Sequence, residues 1–280
     1  MSYGLSLFRE SGARPTIFKV AFVLCIGAIV FSVSGFLSLV LMPSLNATFG
    51  PYLYWLVRLP TWVYMTTVPL MVFVFYLPMF GWRKSWLVLA WGCAIGAAAE
   101  LVGTQTGFPF GAYTYTDYLG PKIAGHVPYF IPPSWYAMSV LSLDLAYRLP
   151  LGRWGRILTA TVFMTLWDVA LDPAMATEGY RFWFYAVDGF FFGMPLSNWA
   201  GWLGTTFVIV IGYEYLFGGM ERTESPWPPV LWLVNGIFPL AISLMLGMWL
   251  AGVIGAVALA VPFVLLKWNA ARRAPLTATA

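Results

Sequence analysis

Long stretches without a charged residue dominate the hydrophobic pattern of this 280-residue chain. A helix needs about 20 apolar residues to cross a hydrocarbon core of about 30 Å. The last stretch, Ser225–Leu266, is about twice as long as one crossing requires, so it predicts two helices with a tight turn near Gly247–Gly252. The predicted spans are Val20–Leu41, Leu59–Phe80, Trp86–Gly103, Ile123–Leu143 (beginning near Pro133), Ile157–Leu171, Asn198–Leu216 and the two halves of Ser225–Leu266.

These eight spans predict an all-α fold, a polytopic integral membrane helix bundle. No linker or shift in composition divides the chain, so residues 1–280 are expected to form a single integral membrane domain. The segment Phe49–Val57 is too short to cross and is expected to lie at the membrane interface. The first apolar run is long enough to remain as a helix, unlike the core of a cleavable signal peptide.

Composition and charge agree with a membrane setting. Sixty per cent of the residues are hydrophobic and nine per cent are charged, against about 25% charged in soluble domains. The basic residues form no stripe, which argues against a nucleic-acid partner. With a cytoplasmic N-terminus, only Arg58, Lys122 and Arg181 of the fifteen Lys and Arg residues would lie outside. This bias predicts a multi-pass protein of the cell membrane with both termini cytoplasmic and the lipid bilayer as its partner.

Six of the eleven carboxylates lie within or at the ends of the predicted spans. Each costs about 2.5–3.5 kcal/mol at the centre of a spanning helix, so such residues usually face a cavity and have a function. In the predicted topology several of them converge with the Gly-, Pro- and aromatic-rich loop Thr106–Pro121 on the extracytoplasmic half of the bundle. The six are Glu100, Asp117, Asp144, Asp168, Asp172 and Asp188.

The spacing of Asp168 and Asp172 places both on one face of a helix, one turn apart. Two carboxylates at that distance in a dry site repel when both are ionised, so one is expected to hold a proton. As an alternative, Asp172 could simply end a helix before Pro173. Asp144 precedes Arg148 by four residues, which favours a structural ion pair, and Asp188 is left undecided.

Aromatic side chains near these carboxylates are candidates for binding a cationic intermediate, because an aromatic face attracts a cation. Plain packing is the alternative for each of them. The run Tyr180–Tyr185 is interpreted as part of an interfacial aromatic belt. The candidates are Tyr113, Tyr115, Trp167 and Trp202.

Several chemistries are disfavoured by what the sequence contains. His126 is the single histidine and is expected at the surface, so no histidine-rich metal cluster can form. No glycine-rich nucleotide loop and no GxSxG elbow occurs. The Asp168–Asp172 spacing also occurs in diphosphate-binding enzymes, but too few basic residues accompany it here. Cys25 and Cys93 lie in apolar spans and are expected to pack.

Four motifs occur in one order between Trp91 and Trp202, and together they resemble the membrane carotenoid hydratases, the bacterial carotenoid 1′,2′-hydratases and the archaeal bisanhydrobacterioruberin hydratase. They are Glu100-x-x-Gly-Thr-x-Thr-Gly-Phe-Pro-Phe-Gly-x-Tyr-x-Tyr-Thr116, Leu119-Gly-Pro121, Trp167-Asp-x-x-Leu-Asp-Pro173, and Phe192-Gly-x-Pro-Leu-Ser-Asn198 with Gly201-Trp202. The resemblance implies a lyase of carotenoid biosynthesis that adds water to the terminal (1,2) double bond of an acyclic end group, giving a tertiary alcohol without a cofactor or metal.

The chemistry of hydration suggests roles for the residues. Asp168 or Glu100 is the expected proton donor, and Asp172 is its electrostatic partner. Tyr113, Tyr115, Asp117, Trp167, Asn198 and Trp202 are the expected substrate-binding set. The expected substrate is an acyclic or monocyclic carotenoid, and other enzymes of the carotenoid pathway are candidate partners. Two alternatives stay open, a proton-initiated end-group cyclase and a non-enzymatic carotenoid-binding or proton-coupled transport protein.

Overall fold

The computed structural model describes residues 12–177, 181–187 and 189–273, and these form helices joined by short loops and two small β-ladders. Strand β1 pairs with β4, and β2 pairs with β3, both antiparallel. The helices are α1 (Ala13–Leu41), α2 (Leu45–Phe49), α3 (Leu53–Thr106), α4 (Ile131–Tyr147), α5 (Arg153–Ala176), α6 (Leu196–Tyr215), α7 (Trp227–Met245) and α8 (Trp249–Arg273), and the strands are β1 (Tyr113–Tyr115), β2 (Lys122–Ile123), β3 (Val127–Pro128) and β4 (Trp183–Tyr185).

Helix α3 is two helices that meet at a sharp reversal. Gly81 has φ 71° and ψ 166°, values that no α-helix contains. In a straight helix Phe73 and Trp86 would lie about 20 Å apart, at 1.5 Å per residue. Their ring centroids are instead 4.9 Å apart, so the chain turns back on itself at Gly81. The sequence places the end of the second predicted span and the start of the third on either side of this glycine.

Five helices among the described residues are long and apolar enough to cross a membrane. One of these runs is Leu45–Thr106, which contains the reversal at Gly81, and the others are α1, α5, α7 and α8. The protein is therefore an α-helical protein with the composition of a membrane protein. That the chain crosses the membrane eight times stays a prediction.

Helix α4 is the centre of the bundle and is buried along most of its length. It packs against α3, α5, α6 and α7. Its 17 residues extend about 25 Å, less than a typical hydrocarbon core. A helix that is apolar on every side is stable where other helices surround it, and here they do.

The structure corrects three predicted boundaries. Helix α5 continues through Asp172 and Pro173 to Ala176, so Asp172 does not end the helix. Helix α3 begins at Leu53, and most of the segment Phe49–Val57 therefore belongs to this long helix. The turn between α7 and α8 is shorter than expected and centres on Gly247, whose φ is 73°.

Candidate active site

Three buried carboxylates line one cavity where α3 and α5 approach their C-terminal ends. Glu100 lies on α3, and Asp168 and Asp172 lie one turn apart on α5. Their exposed fractions are 4%, 0% and 1%. The cavity has a volume of about 90 Å³ and an otherwise mainly aromatic and aliphatic lining. Such a site has room for water and for a small apolar group.

Glu100 is surrounded by neutral hydrogen-bond donors. The hydroxyls of Tyr113 and Tyr115 both donate to its Oε2, the latter at 2.8 Å. The indole Nε1 of Trp135 donates to Oε1 at 2.9 Å. Three donors therefore share this one carboxylate, which holds its oxygens in fixed positions.

The β1–β4 ladder brings its aromatic side chains to the carboxylates. Tyr113 is paired with Tyr185, and Tyr115 with Trp183. Alternate residues of a strand point to one face, so these four side chains face the interior while Thr114 and Phe184 face away. The sequence pattern Tyr-x-Tyr in β1 and Trp-x-Tyr in β4 is the local reason for this arrangement.

Asp172 also has three donors. Trp183 Nε1 donates to its Oδ1 at 2.7 Å. Tyr185 Oη and Asn198 Nδ2 donate to its Oδ2 at 2.8 and 2.7 Å. Hydrogen bonds of this kind strengthen when the acceptor is ionised, so Asp172 is well placed to carry a negative charge.

Asp168 differs from its two neighbours. Its Oδ2 accepts one hydrogen bond, from Asn198 Nδ2 at 3.1 Å. Its Oδ1 is buried and has no partner among the described residues. An unpartnered buried oxygen is uncommon and points to a function or to an unseen water. Within this cluster Asp168 is the carboxyl group best suited to carry a proton, because no described side chain contacts its Oδ1 by a hydrogen bond.

Stacked indole rings form one wall of the cavity. Trp135 and Trp202 lie nearly parallel with ring centroids 4.2 Å apart. Trp167 contacts the edge of Trp202 at 5.9 Å. These rings present apolar, electron-rich surface beside the carboxylates.

A close approach between helices makes this wall possible. A Cβ on Gly96 would lie 2.6 Å from Cγ of Trp135, so α3 needs a glycine here for α4 to pack with its tryptophan inward. Glu100 is one turn further along α3 and reaches the same indole. Gly96 therefore leaves room for the Trp135 ring, and Glu100 accepts the hydrogen bond from its indole nitrogen.

The structure brings most of the predicted site residues together. Glu100, Asp168 and Asp172 line the cavity with Tyr113, Tyr115, Trp167, Asn198 and Trp202. Asp117 is not among them. Its side chain is 82% exposed and pairs with Lys122 at 2.9 Å, because the short turn after β1 carries it to the surface. Asp188 lies outside the described residues.

Sequence reasoning missed three contributors. The sequence pattern predicts an interfacial belt for Trp183 and Tyr185, but both bind Asp172, since β4 is folded back onto β1. The period-two aromatic pattern in both segments is the signal that could have paired them. Trp135 follows an ordinary Pro-Pro-Ser turn on a buried helix, and nothing local marks it as a partner of Glu100.

The prediction of a structural ion pair at Asp144 is confirmed. Arg148 Nε lies 2.6 Å from Asp144 Oδ1, and Tyr76 donates to Oδ2 at 2.7 Å. This pair is at the other end of the bundle, where α4 ends and α5 begins.

Comparison with known proteins identifies the family. Residues 60–262, well over half of the chain, match the family of carotenoid biosynthesis proteins. The chain belongs to this family. It is also similar to the bisanhydrobacterioruberin hydratase of Haloarcula japonica, with 33% identity over 156 residues, which are 53% of this chain and 52% of the relative. The chain thus spans about half the length of the curated relative it matches. No solved structure matches significantly.

Proposed function

We propose that the protein is a carotenoid hydratase that adds water to the terminal (1,2) double bond of an acyclic carotenoid end group by acid catalysis. The observation that carries the proposal is the contrast within the cluster. Asp168 has a buried oxygen without a partner among the described residues, on an apolar cavity, and two carboxylates that each accept three hydrogen bonds lie beside it. The name of the archaeal relative supports the reaction type.

The first chemical step is proton transfer from the Asp168 carboxyl to the CH carbon of the terminal double bond. The π electrons form the new C–H bond and leave a tertiary cation on the neighbouring carbon. Asp172 and Glu100 supply negative charge in a fixed arrangement, which stabilises the cation without any reorganisation at the moment of reaction. The faces of Trp167 and Trp202 add to this stabilisation.

The second step is capture of the cation by water. The water oxygen bonds to the tertiary carbon, and the surplus proton returns to the Asp168 carboxylate, so one water molecule is added and the acid is restored. Asn198 donates to both aspartates and so holds their separation during the two proton transfers. Both oxygens of Glu100 accept hydrogen bonds from tyrosine or tryptophan side chains. We therefore assign Glu100 an electrostatic role and not that of the acid.

The reaction is tested by tracing its oxygen and hydrogen. Purified protein in detergent is given an acyclic carotenoid under anaerobic conditions, with chelator and without nicotinamide or flavin. In ¹⁸O-labelled water the tertiary alcohol should carry one label, and in deuterated water one carbon-bound deuterium should appear beside the carbinol carbon. Oxygen derived from O₂, or loss of activity on chelation, would contradict the mechanism. A product of unchanged mass would identify a cyclase.

We further propose that the site faces the outside of the cell membrane and that both termini are cytoplasmic. The segregation of basic residues supports this orientation. Lys122 and Arg58 lie near the site, whereas Lys84, Arg148 and Arg156 lie at the opposite end. Cytoplasmic segments are the ones enriched in Lys and Arg.

Single cysteines test the orientation in a background that lacks Cys25 and Cys93. Thr114 is exposed on the outer face of β1, and Gly152 is exposed between α4 and α5 with open space around it. Thr114→Cys should react with an impermeant reagent in intact cells, and Gly152→Cys only after permeabilisation. The reverse labelling pattern would place the site on the cytoplasmic side.

A further inference from the structure

A second cavity of about 390 Å³ lies beside the candidate active site. It lies between α1, α2, the first turns of α3, the end of α5 and α7. Among the described residues no charged side chain lines it, and its few polar groups are hydroxyls such as those of Ser32 and Ser38. None of the three site carboxylates or their hydrogen-bond donors lines this second cavity.

The two cavities share a boundary. Thr61, Met175, Phe182 and Phe238 line both of them. Met175 follows Asp172 on the same helix by three residues, so it is neighbour to the acid cluster on one side and to the larger cavity on the other. These four side chains therefore lie between the carboxylates and the larger cavity.

The two cavities differ in size, and each suits a different part of the substrate. At about 90 Å³ the cavity at the carboxylates suits an end group, not the long polyene to which that end group is attached. The neighbouring space is about four times as large, and its described lining residues carry no charge. We propose that it binds the polyene chain of the substrate while the terminal double bond lies against Asp168. This inference rests on the proposed function and specifies where the rest of the molecule binds.

The cavity also indicates how such a chain enters. Phe31 of α1 and Phe49 of α2 line it and are 50% and 41% exposed on the outer, apolar surface of the bundle. An insoluble polyene resides among lipid tails, so a mouth on this surface admits it directly from the bilayer. Short helix α2 lies at that mouth.

Gly35 offers a clean way to fill the cavity. It lines the space, and a Cβ built on it meets no atom within 4 Å. Gly27 is two turns earlier on the same helix, is likewise open and does not line the cavity. Gly35→Leu and Gly27→Leu therefore make the same change on the same helix, and only the first occupies the proposed polyene site. Ser38→Phe serves as a second filling variant.

The experiment compares two substrates in each variant. One is a full-length acyclic carotenoid, and the other is a single-unit, five-carbon alkene with the same trisubstituted double bond, which needs only the first cavity. Gly35→Leu and Ser38→Phe should lower kcat/KM for the long substrate by about tenfold or more, because the added side chain takes up volume that the polyene needs. Both variants should leave the short substrate within about twofold. Gly27→Leu should change neither.

A binding measurement separates this inference from the proposed reaction. Pigment retained by purified protein in nanodiscs should fall in Gly35→Leu and stay normal in Gly27→Leu. If pigment retention follows this pattern but the native enzyme hydrates neither substrate, the proposed function fails and the binding site stands. Equal losses for both substrates, or unchanged turnover and retention in both filling variants, would overturn the inference and leave a lipid acyl chain as the occupant.

Discussion

The two ends of the bundle treat buried carboxylates in opposite ways. Within the described residues five carboxylates are buried, and they fall into two groups. Asp144 and Glu214 lie at one end, and each pairs with arginine. Glu100, Asp168 and Asp172 lie at the other end, and their hydrogen bonds come from Tyr, Trp and Asn side chains.

The difference separates structural charge from reactive charge. An arginine stays protonated, so it fixes its partner as an anion. Glu214 also has an oxygen without a partner among the described residues, but Arg153 and Arg156 balance its charge at 3.6 and 3.3 Å. Neutral donors add no positive charge that would fix a carboxylate as an anion. A group of three carboxylates with such donors can therefore hold and release a proton.

The largest expected effect follows from removing the acid. Asp168→Asn keeps the size and the hydrogen bond to Asn198 but cannot donate the proton, so turnover should fall by at least about 10²-fold. The protein should still fold, because a neutral amide replaces a neutral carboxylic acid of the same size. The measurement is alcohol formed per mole of folded protein, from pigment chromatography and mass spectrometry.

The matched change at the other end is Asp144→Asn. It leaves Arg148 without its buried partner, which costs about 3–5 kcal/mol of stability. Yield and thermal stability should therefore drop, while turnover per folded molecule stays near normal. Full conversion by the Asp168→Asn enzyme at equal expression would remove Asp168 from its role.

A smaller effect is expected from single tyrosine hydroxyls. Tyr185→Phe removes one of three donors to Asp172, and Tyr76→Phe removes a donor to Asp144. A hydrogen bond to a charged group is worth about 1.5–3 kcal/mol. In Tyr185→Phe that loss should appear as about a tenfold or greater fall in kcat, since Asp172 carries the charge that stabilises the cation.

In Tyr76→Phe the same loss should appear as lower thermal stability with kcat unchanged. Purified variants assayed for both quantities decide between the two outcomes. If Tyr185→Phe lost only stability, the donors on Asp172 would be structural and the contrast between the two ends would disappear.

The sequence predicts the helices and the carboxylates of the site better than it predicts their partners. Uncharged length identifies the helices, and Asp168 and Asp172 follow from a single helix period. The partners depend on long-range contacts. Trp183 reaches Asp172 only because β4 pairs with β1, which lies nearly seventy residues earlier in the chain. Exposure of Asp117 depends on a three-residue turn after β1 that the pattern does not mark.

The smallest expected effect concerns the packing beneath the indole wall. Gly96→Ala and Gly92→Ala place the same methyl group one turn apart on α3. At Gly96 it would press on the Trp135 ring, and at Gly92 on Tyr213 and the backbone of Tyr136. Overpacking typically costs about 1–3 kcal/mol, so both variants should lose thermal stability. Only Gly96→Ala displaces the indole that donates to Glu100 and stacks on Trp202, so only this variant should also lose several-fold in kcat. Equal kcat in the two folded variants would show that Trp135 packs against the site without positioning it.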